Sequence, residues 1–280
     1  MFRLFRSNWA YVVWFMFYFT LFWLICGANK ISLIVVSSIY CAAILLSLSE
    51  AGEAFWRASY VVRPLRTNRE KERLIPLFKE VYEHICSADK YFPTKINLYI
   101  QENMEINAYA YGRKTLVLTR GSIEMLNDDC LKGLMAHEFG HFYYRDPTII
   151  LILSVGNFFM FFLKKLFCGN GSGPQFQNEK LSLITFLFKS VYDFLYGIYM
   201  FFVSLGDVII TSVSREHEID ADWFAYVCGY GNELTEVLYE LYSMTFSKPE
   251  SIREQLRSTH PPITVRIEAL ENYRRESEQD

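Results

Sequence analysis

The 280-residue sequence predicts a mainly α-helical fold with a small β-element. An N-terminal transmembrane hairpin precedes it, and two further hydrophobic helices are inserted between two metal-binding helices. Three observations predict this arrangement. Two uncharged apolar runs stand near the N-terminus, Trp9 to Cys26 and Ile31 to Ser49, with lengths of 18 and 19 residues. A histidine pair at helical spacing follows at His137 and His141. A cluster of acidic side chains at 216–222 comes after a second long apolar stretch.

Each apolar run is long enough to cross a hydrocarbon core as a helix. Gly27-Ala28-Asn29-Lys30 between them reads as a tight turn, so residues 1–50 form a hairpin. A signal peptide is the competing reading, because Arg3 and Arg6 resemble a basic leader. The run is overlong, rich in aromatics and followed at once by a second span, which favours an anchor. Arg3 and Arg6 precede the hairpin and Arg57, Arg63, Arg66, Arg69, Lys71 and Arg73 follow it, with only Lys30 in the turn. The bias of positive charge toward the cytoplasm puts both ends on that side. Residues 51–147 then form the first part of a catalytic domain.

Composition agrees. At 51% hydrophobic and 17% aromatic residues the chain is too apolar for an ordinary soluble domain, yet too charged to lie wholly in lipid. A net charge of −3 and the lack of a basic, aromatic-laced cluster exclude a nucleic-acid partner. The six cysteines show no paired metal spacing and read as reduced packing residues.

His137-Glu138-Phe139-Gly140-His141 has the H-E-x-x-H spacing. Positions i and i+4 share a helical face, so both imidazoles reach one ion, and Glu138 stands beside it as general base. Such an ion is Zn²⁺, one per chain, which makes a water easier to deprotonate. Asn127-Asp128-Asp129 supplies capping side chains, Leu131, Leu134, Met135 and Phe139 an apolar stripe, and Pro147 a stop.

Beyond it, Thr148 to Leu163 and Leu181 to Val213 are apolar, with Gly169 to Pro174 a flexible link. Residues 148–213 are expected to cross the bilayer twice; a hydrophobic cover on the membrane surface is the alternative. Residues 214–280 complete the catalytic domain. A catalytic zinc takes a third protein ligand, and Glu216, His217, Glu218, Asp220 and Asp222 are all candidates. Spacing alone does not choose among them.

Asn107-Ala108-Tyr109-Ala110, then Ala136-His137-Glu138-Phe139-Gly140-His141, then Ser214-Arg215…Glu218…Ala221-Asp222 resemble the HtpX-like membrane metallopeptidases. These are gluzincins related to the CaaX prenyl endopeptidases. The resemblance covers roughly residues 60 to 280 plus the hairpin. It implies a zincin-like metallopeptidase domain in which Glu218 is the third zinc ligand, Asp222 supports a ligand histidine, and Glu216, His217 and Asp220 are surface charges. It also implies that a strand, read here as Thr115 to Thr119, pairs with substrate along its edge, making Asn107 and Ala108 substrate contacts. Thr259-His260-Pro261-Pro262 and Arg266 match the family's closing element. His260 is then an oxyanion donor or a fourth ligand, and Arg266 holds a substrate carbonyl or carboxylate. Asp146 fits the pattern without an evident role.

The function expected is hydrolysis of protein or peptide substrates within or beside the bilayer, in membrane-protein quality control. The expected location is a bacterial inner (plasma) membrane, with the catalytic domain facing the cytoplasm. A CaaX-type C-terminal processing peptidase and a non-proteolytic metal-binding scaffold are the rivals.

Overall fold

The computed structural model describes residues 2–88, 92, 95–152, 190, 191, 193, 194, 196, 197, 201, 214–245 and 260–278. Most of the two expected inserted spans, the link at 169–174 and Thr259 lie outside those residues. Helices dominate, with one small sheet.

Helices α1 (Phe2–Ile25) and α2 (Lys30–Ser47) form the expected hairpin. The turn runs through left-handed Gly27 and Ala28. Asn29 then caps α2 in a reciprocal box: Ser32 N donates to Asn29 Oδ1 at 2.8 Å, and Asn29 N donates to Ser32 Oγ at 3.0 Å. By length and composition α2 can cross a membrane. On α2 only Ser32, Val36 and Tyr40 are buried.

Helix α3 (Glu50–Ser59) follows at once, capped by Ser49. It leads into β1 (Val62–Pro64) and the longer α4 (Asn68–Ala88). Thr67 and Glu70 box the start of α4: Glu70 N donates to Thr67 Oγ1, and Thr67 N donates to Glu70 Oε2. The buried Glu70 carboxylate also takes Arg63 at 2.7 Å and Arg120 at 2.9 Å.

Strands β2 (Asn97–Gln101), β3 (Ala108–Tyr111) and β4 (Thr115–Thr119) complete a sheet of order β1-β2-β4-β3. β4 runs parallel to β2, with Leu98 opposite Leu116, and antiparallel to β3, with Ala108 opposite Leu118. The expected edge at Thr115 to Thr119 is therefore corrected: β4 is interior and buried along its whole length. Among the described residues β3, which contains Ala108, is the edge strand next to β4, and β1 is the opposite edge. Apolar residues facing both sides of β4 explain the difference, since a strand paired on both edges and covered on both faces needs no polar alternation.

Helix α5 (Arg120–Met125) connects to α6 (Asp128–Tyr144), whose first turn is capped by Asn127 Oδ1 accepting from Cys130 N at 2.7 Å. α6 does not end at Pro147. It ends at Arg145 in the left-handed region, φ 64°, and Pro147 lies inside the first turn of the next helical run, α7 (146–152). Proline suits that position because its missing N–H has no helical partner there.

Helix α8 (214–225) passes through a π-turn at Tyr226–Tyr230 into α9 (Gly231–Thr245), and α10 (Ile263–Ser277) closes the described chain. The core gathers Leu74, Val81 and Ile85 of α4, Leu116 and Leu118 of β4, Leu131, Met135 and Phe139 of α6, Leu234 and Leu238 of α9, and Leu270 of α10. Phe139 sits among Phe78, Tyr82 and Phe92. Truncating a ring so enclosed costs about 3–5 kcal/mol. Phe139 thus fixes the rotation of α6, which turns His137 and His141 toward α8.

Candidate active site

α6 presents His137 at 3% and Glu138 at 5% exposure, with His141 one turn on. Donor atoms of these three lie within 4.8 Å of one another. α8 brings Glu218 across. His137 Nε2 is 3.4 Å from Glu218 Oε2, and His141 Nε2 is 3.4 Å from Glu218 Oε1. A tetrahedron with arms of about 2.1 Å has corners about 3.4 Å apart, so these atoms are spaced as ligands of one zinc ion. Glu218 Oε2 is buried and, among the described residues, accepts no hydrogen bond of good angle. A buried carboxylate that turns one oxygen to each of two imidazole nitrogens suits a cation between them.

Both rings are held from behind. His137 Nδ1 lies 2.8 Å from Asp222 Oδ1 and His141 Nδ1 lies 3.0 Å from Asp146 Oδ2. Each Nδ1 is thereby occupied, which leaves each Nε2 for the shared point. The left-handed Arg145 folds Asp146 back toward a ring five residues earlier. Asp146, with no role evident in the sequence, is the counterpart of Asp222.

Arg266 of α10 is 8% exposed and grips Asp222 with two hydrogen bonds, Nε to Oδ2 at 2.8 Å and Nη2 to Oδ1 at 2.7 Å. Its Nη1 lies 3.3 Å from Glu218 Oε2. All three guanidinium nitrogens thus face protein carboxylates. The expected substrate carbonyl or carboxylate is replaced by Asp222, because a buried aspartate needs a fixed, charged donor. His260 Nδ1 is 2.8 Å from Glu218 Oε2, on a side chain 56% exposed at the mouth.

Charge reinforces geometry. Glu138, Asp146, Glu218 and Asp222 stand against one arginine. Burial and the nearby Arg266 charge act to lower the His137 pKa, but the hydrogen bonds and charges of Asp222 and Glu218 prevail and raise it. Burial opposes charging of His141 as well, yet Asp146, Glu218 and Glu138 hold it well above the usual value. Glu218 is pushed up by burial and pulled much further down by His137, His141 and His260. Asp222 is likewise lowered: burial pushes it up, but the charge and hydrogen bonds of Arg266 together with His137 outweigh that.

The other expected residues divide. Glu216 is exposed, as a surface charge would be. His217 is not: it is 4% exposed, with Nδ1 3.2 Å from Asp146 Oδ1, a correction to its reading as a surface charge. Its position directly before Glu218 turns it inward on the neighbouring face of α8. Asn107 is exposed but its backbone is locked by Thr119 and Ser122. Ala108 is buried on β3, which packs against α6.

Similarities to known proteins converge on this stretch. The chain matches peptidase family M48 over residues 70–274. It is 26% identical over 203 residues to a "Protease HtpX homolog" of Thermoanaerobacter pseudethanolicus, covering 64% of this chain and 66% of the relative, just under two thirds of its length. A "CAAX prenyl protease 1 homolog" of Taenia solium is 30% identical over 155 residues, covering 52% of this chain and 31% of that one. The crystal structure of S. mikatae Ste24p shares the fold with TM-score 0.51 at 18% identity, covering 85% of this chain and 56% of the other. Since the matched stretch contains both histidines, Glu218 and Arg266, and most of the sequence with them, the chain belongs to peptidase family M48.

Proposed function

We propose that the chain is an integral membrane zinc endopeptidase that cleaves membrane or membrane-proximal proteins, with a task in membrane-protein quality control. The observation that carries this reading is the placement of His137 Nε2 and His141 Nε2 at 3.4 Å from the two oxygens of Glu218. These three residues would hold one Zn²⁺, which when bound polarises the scissile carbonyl and acidifies a water.

The remaining steps belong to the protein. Glu138 Oε takes a proton from the attacking water and hands it to the leaving amine. Asp222 and Asp146 keep the two imidazoles in the tautomer that leaves Nε2 free. Arg266 fixes Asp222 by its fork and braces Glu218. His260, half exposed beside Glu218, would donate to the developing oxyanion.

Substrate backbone would lie along β3, with Asn107 and Ala108 at the start of that edge. Support for a membrane-adjacent substrate comes from how β3 is tethered. Its turn is gripped by Glu53 of α3, which accepts from Arg113 N at 2.7 Å and from Thr115 Oγ1 at 2.9 Å. α3 is joined directly to α2, the helix with the length and composition of a span. Trp56 of α3 stacks on Tyr111 of β3, centroids 3.6 Å apart. Thr148 at the head of the second apolar stretch donates to Gly112 O at 3.2 Å. The arginine-rich flanks of the hairpin support a catalytic face on the cytoplasmic side, an arrangement that fits a bacterial inner membrane.

Metal analysis and a casein or self-cleavage assay on the full chain in nanodiscs test the proposal. Glu138→Gln is expected to keep its zinc and lose cleavage by about 10²–10⁴-fold. Unchanged cleavage in that variant, or a wild type that takes up no zinc, would overturn it. A farnesylated C-terminal peptide, cleaved in preference to casein, would move the reading to CaaX-type processing, the activity named for the Taenia relative.

A further inference from the structure

Asp146 faces two imidazoles at once. Its Oδ2 lies 3.0 Å from His141 Nδ1 and its Oδ1 lies 3.2 Å from His217 Nδ1. Asp146 itself is 3% exposed; its Oδ2 is hydrogen-bonded to His141, while His217 Nδ1 stands within ion-pair distance of Oδ1 without the angle of a hydrogen bond. The far side of His217 is met edge-on by the Tyr11 ring, with centroids 5.9 Å apart at 65°. Tyr11 is 1% exposed, and its hydroxyl lies 3.3 Å from Ser214 Oγ at the start of α8. Tyr11, Trp14 and Tyr18 recur at i, i+3 and i+7 and are all buried, whereas Val12, Val13 and Met16 are exposed. α1 is therefore turned with this aromatic stripe inward.

We propose that Tyr11 and His217 are positioning residues of the metal centre: α1 seats His217, His217 fixes Asp146, and Asp146 aims His141. The inference rests on the reading of His137, His141 and Glu218 as the ligand set. A carboxylate with one partner can swing about its own side-chain bond and carry the ligand ring with it. With a second imidazole nitrogen 3.2 Å from its other oxygen that swing is restricted, and partners behind a ligand histidine commonly change metal affinity by about 10–100-fold. Tyr11 packs edge-on against the same His217 ring, tying that orientation to the hairpin. The hairpin then does more than anchor the enzyme, because metal retention depends on where α1 packs.

The test uses the full chain in nanodiscs, with zinc affinity measured by competition against a chromophoric chelator. The visible spectrum of the Co²⁺-loaded protein gives a second readout. His217→Ala and Tyr11→Ala are each expected to weaken zinc binding by about tenfold and to shift the Co²⁺ bands. The double variant should lose little more than the worse single one, because both act through one contact. His217→Asn, whose amide can still donate to Asp146, should recover much of the loss, and Tyr11→Phe should bind like wild type. Trp14→Ala, one turn along the same buried face, should leave metal affinity unchanged. Wild-type affinity and spectrum in both alanine variants would overturn the proposal, as would an equal loss in Trp14→Ala. Should Tyr11→Ala fail to fold, the contrast between His217→Ala and His217→Asn decides. A wild type without zinc affinity would instead overturn the underlying ligand assignment.

Discussion

Gly140 and Ala221 touch where α6 crosses α8. A Cβ built on Gly140 would lie 2.9 Å from Ala221 Cα and 3.1 Å from Ala221 O. Gly140 stands beside His141, and Ala221 stands three residues after Glu218. Their contact therefore sets how closely the third carboxylate approaches the two imidazoles.

Gly140→Ala is expected to push the helices apart, since backbone on the facing helix cannot yield as a flexible side chain would. Overpacking of this kind costs about 1–3 kcal/mol. Zinc affinity should fall by at least about tenfold while helical content is kept. Titration against a chelator, with circular dichroism as the control, checks both. A variant that binds zinc like wild type would show that the close approach is incidental.

Asp222→Asn keeps the volume but replaces one acceptor of the Arg266 fork with a donor and weakens the hold on His137, and should lower zinc affinity by about 10–100-fold. Arg266→Ala should be worse for folding. It leaves Asp222 buried without its cation, at a cost of about 3–5 kcal/mol. Chemical denaturation of both variants, read beside metal content, separates the two effects.

In the metal-free protein the His137 and His141 pKa values are raised, so the two imidazoles hold their protons to higher pH than free histidine does. Zinc must displace them. Its affinity should therefore climb with pH through and beyond the ordinary histidine range, by about tenfold per unit for each proton released. Measuring Kd for zinc between about pH 6 and about pH 9 tests this, and a flat profile would contradict it. Adding chelator should also lower the unfolding midpoint, by the equivalent of about 2.7 kcal/mol when zinc had stood at about 100 times its Kd.

Glu70 offers a pH test away from the metal. Hydrogen bonds from Arg63, the backbone of Arg66 and Thr67, and Arg120 hold its carboxyl well below the usual range, against burial that would raise it. Its folded pKa lies below its unfolded one. The stabilisation is thus fully present above the unfolded carboxyl range near pH ~4.3 and is lost as pH falls through the folded value. Glu70→Ala should cost about 3 kcal/mol at neutral pH and flatten the acid limb of the stability curve. Denaturation midpoints from about pH 7 down to about pH 3 check the sign.

Much of the molecule is legible in the sequence because it depends on local periodicity. The i, i+4 pair His137 and His141, the Asn127 cap, the apolar stripe through Phe139 and the hairpin turn at residues 27–30 each need only a few neighbouring residues to be recognised. Contacts between distant segments leave no such trace. Nothing in the order Arg145-Asp146-Pro147 announces a left-handed turn that returns a carboxylate to His141. Nothing in Glu216-His217-Glu218 says that the middle residue faces inward while its predecessor faces solvent.

What the chain order determined alone is the chemistry on offer: two imidazoles and a base on one helical face, an acidic cluster further on, and apolar runs of bilayer length. Tertiary packing decided which carboxylate stands opposite the pair, that Arg266 braces Asp222 and Glu218, that β3 is an edge while β4 is interior, and that Tyr11 packs against His217. The reason is physical. Periodicity fixes which way a side chain points from its own helix, but only the packing of one element on another fixes what stands opposite.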